Sequence, residues 1–220
     1  MAMENWSLVC DANTFANCKA DKKFPYIAML SRAVNSLNFV HSAMIHVGGD
    51  DEPETQRDRL NSYFFASATL YECFNLVKSM EPVFQNDAAF RRTLLPFLKQ
   101  KTVKKIKEDH LNHVRNGAVF HFQPHRDRVR SFIGMISNAA VKERTFASGL
   151  GERKGGVYYT YSDILTSEVL VGLSVDTNEK RFYAKLEKIM VRTRDLAFRF
   201  AHKGEILIRY HLKAWGFRLE

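Results

Sequence analysis

The chain has 220 residues, 33 Lys and Arg against 24 Asp and Glu, a formal net charge of +9 and 45% hydrophobic residues. That length allows one large domain or two small ones, and the composition excludes wholesale disorder and collagen-like repeats. With 5 Pro and 11 Gly a turn-dense all-β sandwich or barrel is disfavoured, and no apolar run reaches the roughly eighteen residues of a membrane span.

The opening residues, MAMENWSLVCDANTFANCKADKK, lack the charged and then apolar pattern of a secretory signal. Cys10, Cys18 and Cys73 form no C-x-x-C pair, which fits a reducing, cytoplasmic setting and gives no zinc ribbon. Residues 1–23 read as an N-terminal extension. From Phe24 to about Val47, the apolar residues Ile27, Leu30, Val34, Leu37, Val40, Met44 and Ile45 recur at threes and fours and predict one helix. The polar break at 48–53 precedes a second predicted helix over about 54–80, so the two read as an antiparallel hairpin.

Asn86 and Asp87 are natural caps for a short third helix through Leu98, which Pro96 is expected to kink or end. A helical stretch over about 101–122 closes at Pro124, and another is predicted over 127–146. Residues 148–156 hold four glycines and three charges and read as a flexible loop. ValTyrTyrThrTyr, 157–161, has the look of a short strand without a partner, followed by a helix over 162–172 and a long one from about Thr177 to beyond Ala201. The fold class is therefore an all-α, up-and-down helical bundle in a single domain over 1–220. Its core is placed at 24–147, and the loop and C-terminal helices at 148–220 form an extended C-terminal region.

The charge is local. Between Arg91 and Arg130 stand Arg91, Arg92, Lys99, Lys101, Lys104, Lys105, Lys107, Arg115, Arg126, Arg128 and Arg130, opposed only by Glu108, Asp109 and Asp127. A solvated basic face is the plain account, and a phosphate backbone is the partner such a face fits. Within this stretch lies Arg115-Asn116-Gly-Ala-Val-Phe-His121. Arg stays charged and forks onto phosphate oxygens, His titrates near neutrality, and the Asn amide can hold a phosphate or a water. These are the minimum parts for metal-free RNA cleavage, in which a ribose 2′-OH attacks the neighbouring phosphorus. On a straight helix, however, His121 sits about 120° around and about 9 Å along from Arg115. Convergence needs the reach of Arg115, a distortion at Gly117 or before Pro124, or a second protomer.

The stretch ArgAsnGlyAlaValPheHisPhe, on a helix late in a helical bundle, resembles the signature of the HEPN superfamily: an Arg, a polar residue, a short spacer, then a His. The resemblance implies a dimeric bundle with two motif helices facing a shared cleft, and a metal-independent endoribonuclease of toxin, defence or RNA-processing systems. Carried over by position, Arg115 and His121 become the catalytic pair and Asn116 the assisting polar residue. The chain departs from that pattern in its long tail beyond Ser148.

RNA contacts are expected from Lys101, Lys104, Lys105, Arg126 and Arg128, with Arg153 and Lys154 of the glycine-rich loop closing over the strand. The expected partners are RNA, a second copy of the chain and an antitoxin or other protein, with no cofactor. His110 and His113, or His121 and His125, share helix-compatible spacings, but Pro124 and the absence of nearby Cys or paired carboxylates leave no metal set. Dinucleotide, phosphate-loop, nucleophile-elbow and zinc-protease motifs are absent. The alternative class is a non-catalytic helical module that binds protein or nucleic acid.

Overall fold

The computed structural model describes residues 8–46, 53–114, 148–150, 156–158 and 179–219. The helices expected over 127–146 and 162–172 lie outside these residues. In chain order the described elements are β1 (Leu8–Val9), α1 (Ala12–Ala20), α2 (Phe24–His46), α3 (Pro53–Phe84), α4 (Ala88–Arg92), α5 (Leu94–Lys99) and α6 (Lys101–Ile106). A π-helical turn (Lys107–Leu111), α7 (Asn112–Val114), β2 (Ser148–Leu150), β3 (Gly156–Tyr158), α8 (Glu179–Ala214) and β4 (Arg218–Leu219) follow. The described residues form an all-α helical bundle.

Three long helices make the core. Phe24 at the start of α2 meets Trp215 just past α8 (ring centroids 5.7 Å), and His41 farther along α2 meets Phe198 (5.4 Å), so α2 and α8 run antiparallel. Tyr26 against Phe84 (6.1 Å) sets α2 antiparallel to α3 as well, as a hairpin requires. In contrast, Phe74 meets Phe200 and Phe84 meets His211 in the same order, so α3 and α8 are parallel. The C-terminal helical region is thus a wall of the core: Leu196, Ala197, Phe200, Ala201, Leu207 and Ile208 join the same buried cluster as Leu30, Phe74 and Phe97. Gly204 makes that wall possible, because a Cβ there would lie 2.8 Å from Val34 Cγ2. Phe74, Phe97 and Phe200 form a ring hub with centroids 5.8 to 6.3 Å apart, a separation at which aromatic pairs attract edge to face.

Several boundaries differ from the sequence reading for physical reasons. α3 continues through exposed Pro82 to Phe84, because Phe84 is buried among Tyr26, Phe90 and His211 and that burial offsets the helix penalty of proline. The third helix breaks at Thr93 (φ −108°, ψ −81°), while Pro96 sits in the first turn of α5, where its missing N–H is harmless. Within the N-terminal extension, residues 8–23 are described. Asp11 caps α1 through the Thr14 amide at 2.7 Å, and β1 pairs antiparallel with β4. The strand expected without a partner has one, since β3 pairs antiparallel with β2 out of the glycine-rich segment itself. The ending IleLeuIleArgTyrHisLeuLysAla continues α8, which stops in a left-handed Gly216 (φ +91°) with Phe217 N–H bonded to Leu212 C=O at 3.0 Å. That bond satisfies a carbonyl the helix end leaves open.

Beside this helix end the buried charges are gathered. Asp87, whose side chain is 4% exposed, accepts from Lys23 Nζ at 2.6 Å and caps α4 through the Phe90 amide at 2.9 Å, and its Oδ2 lies 3.2 Å from His211 Nε2. Asp21 accepts from the Trp215 indole at 3.0 Å and from the Lys23 amide at 2.8 Å. Burial alone would push both carboxyls up. Lys23, His211 and these donors outweigh it and hold both below the ordinary carboxylate range. His211 is held below its ordinary value by burial, against the pull of Asp87.

Candidate nucleic-acid interface

The helix that leads toward Arg115 starts at Lys101 and carries a split face. Val103 is buried, whereas Lys101, Lys104 and Lys105 are exposed. Beyond Ile106 the backbone changes its hydrogen-bond step, and the Asn112 N–H reaches back five residues to Lys107 C=O. The side chains explain the change. Ile106 is packed against the core and Leu111 is buried within it. Their separation of five positions matches an i→i+5 turn and leaves them about 140° apart on an α-helix. One residue is thereby inserted, and later side chains are turned by about 100° relative to an uninterrupted helix.

Inside this turn Lys107 points inward. Its Nζ donates to Asn75 Oδ1 at 3.1 Å and stands 5.3 Å over the Tyr71 ring. Burial lowers its pKa below the ordinary lysine value and Lys78 adds to that. Lys107 therefore anchors the turn to α3, while the lysines before it face solvent. His110 is half-buried, and its Nδ1 is buried without a hydrogen-bond partner among the described residues. Burial lowers the His110 pKa, with Arg192 and Lys105 acting the same way and Asp109 opposing. At neutral pH the imidazole is thus uncharged beside cations of two elements.

Arg192 and Arg199 are residues that the sequence reading missed. Both are exposed on α8, and seven positions bring them within about 20° of one helix face. Arg199 donates to Gln100 Oε1 at 3.0 Å at the α5–α6 junction, and its guanidinium lies 5.4 Å over the Phe97 ring. Arg91, Arg92 and Lys99 are also exposed on α4 and α5. The basic run of the sequence thus adjoins a second basic stripe from the far end of the chain. The amphipathic period of α8 placed these arginines on a polar face, but no sequence feature placed that face beside the α5–α6 junction.

Arg115, Asn116, His121, Arg126, Arg128, Arg153 and Lys154 lie outside the described residues, as do Pro124 and His125. Of the expected site residues, the structure therefore describes Lys101, Lys104 and Lys105. Among the described residues no group of three or more His, Cys, Asp or Glu side chains gathers as a metal set, and no helix is long and apolar enough to cross a membrane. Two other polar clusters offer less. The buried hydroxyls of Tyr63, Ser67 and Thr193 are grouped in the core, where burial pushes the Tyr63 phenol up to about 12 despite its two neighbours. Burial likewise pushes the Cys73 thiol up to about 12, far from a reactive thiolate. No protein-family model matches the chain, and neither a curated protein nor a solved structure matches it.

Proposed function

We propose that this chain is a HEPN-type, metal-independent endoribonuclease. A ribose 2′-oxygen attacks the adjacent phosphorus as a base removes its proton. The bond from phosphorus to the 5′-oxygen breaks, that oxygen takes up a proton, and a 2′,3′-cyclic phosphate remains. Arg115 stabilises the extra negative charge of the transition state, His121 transfers a proton, and Asn116 orients the phosphate. One observation carries most of the weight: the helix running toward Arg115 presents Lys101, Lys104 and Lys105 to solvent and turns π just before the motif. Such turns occur often at functional sites. The resemblance alone supplies the rest of the reading: a homodimer in the cytoplasm, a toxin or anti-phage role, and an antitoxin or other protein partner.

The test is incubation of purified protein with a mixed RNA pool, with and without EDTA, beside Arg115→Ala and His121→Ala. Cleavage is expected to survive the chelator, to leave 2′,3′-cyclic ends and to fall about 100-fold or more in either variant. Wild-type cutting by His121→Ala ends the assignment. A second reading, a module that binds RNA without cutting it, draws on His110, whose Nδ1 is buried without a hydrogen-bond partner among the described residues. It predicts binding by all three proteins and cyclic ends from none.

A further inference from the structure

The basic run of α6 and the arginines of α8 are separated by more than eighty residues of sequence, yet Arg199 reaches Gln100 at the α5–α6 junction. We propose that Lys101, Lys104 and Lys105 of α6 together with Arg192 and Arg199 of α8 form one composite surface that tracks the phosphodiester backbone of single-stranded RNA. The inference deepens the RNA-directed reading above and rests on it, but it concerns binding and needs no cleavage.

Three observations favour phosphate over an acidic protein surface. All five side chains are exposed cations of one sign on two rigid helices, which suits a ligand with evenly spaced charges more than one with scattered carboxylates. Arg199 is held in place by the Phe97 ring and the Gln100 amide oxygen, so part of its rotamer freedom is already spent and its fork is pre-oriented for phosphate oxygens. Opposing acids are few: Glu108 and Asp109 lie in the π turn, and Asp195 on α8 is 3.4 Å from Arg194.

The experiment is fluorescence anisotropy of the full chain with a labelled single-stranded RNA, repeated over a series of salt concentrations. The proteins are wild type, Lys104→Ala/Lys105→Ala, Arg192→Ala/Arg199→Ala and a control, Lys19→Ala/Lys22→Ala. The control removes the same charge from exposed residues of α1 and the turn before α2. Each site pair should weaken binding about tenfold or more at low salt and reduce the slope of log affinity against log salt by about 1.4, the value for two lost contacts to a single strand. Arg192→Ala alone should lower the slope by about 0.7, which keeps the test independent of the contacts Arg199 makes within the fold. A wild-type slope in the α8 variants, or an equal loss in the control, overturns the composite surface. If wild type binds with the expected slopes but yields no cyclic ends, cleavage fails and the surface stands. If an acidic peptide displaces RNA from wild type and binds with the same slope, the ligand class is wrong.

Discussion

The molecule handles charge in two opposite ways. Near the Trp215 end, Asp21, Lys23, Asp87 and His211 are drawn together from the α1–α2 and α3–α4 turns and the last turns of α8, with Asp87 between Lys23 and His211 and Asp21 bonded to the Trp215 indole and the Lys23 amide. On α6 and α8, Lys101, Lys104, Lys105, Arg192 and Arg199 stand exposed. Paired, buried charges fix geometry, because removing one partner leaves the other desolvated and alone. Exposed like charges do little for the fold and repel each other until an anion arrives. The first region therefore reads as structural and the second as a surface held ready for a ligand.

That contrast can be broken at either region. The largest effect is expected from Asp87→Ala, which deletes the cap of α4 and strands Lys23 and His211. Urea unfolding should show a loss of about 2–4 kcal/mol, and a loss below 1 kcal/mol would remove the structural reading of the cluster. Next is acid sensitivity. His211 and Asp87 both have folded pKa values below their ordinary ones, so their stabilisation is present above the unfolded values of about 6.5 and 3.9 and is lost as pH falls. The unfolding midpoint should drop below about pH 6.5 and again below about pH 4, and Asp87→Ala should shrink the second step, leaving the share of Asp21. Trp215→Phe keeps the ring but loses the bond to Asp21, and should lower stability by about 1 kcal/mol in the same unfolding assay. The smallest change belongs to Lys104→Ala/Lys105→Ala, whose stability should stay within about 0.5 kcal/mol of wild type.

How much of this was readable in advance depends on the range of the interaction responsible. The limits of α2 follow from apolar spacing and the glycine break after it, and they agree with the structure to about one residue. The cap at Asp87 is equally local. The extension of α3 through Pro82 needed knowledge of what buries Phe84, and α1 escaped notice because Cys18 is its one buried side chain. The pairing of β2 with β3 was hidden by Gly149 and Gly156, which lie within the paired residues and are poor strand formers. Of the candidate site, the lysine face of α6 was legible as a local charge run, whereas Arg192 and Arg199 join it only through tertiary packing. The Ile106–Leu111 step was a visible local clue to the π turn that went unused.

The parallel placement of α3 and α8 bears on how this chain assembles. Residues 85–178 must be made before α8 can seat Phe200 against Phe74, so a nascent chain with only the first hairpin exposes those rings to solvent. Contacts that close so large a loop form late and slowly, and chaperone dependence during synthesis is the expected price of that topology.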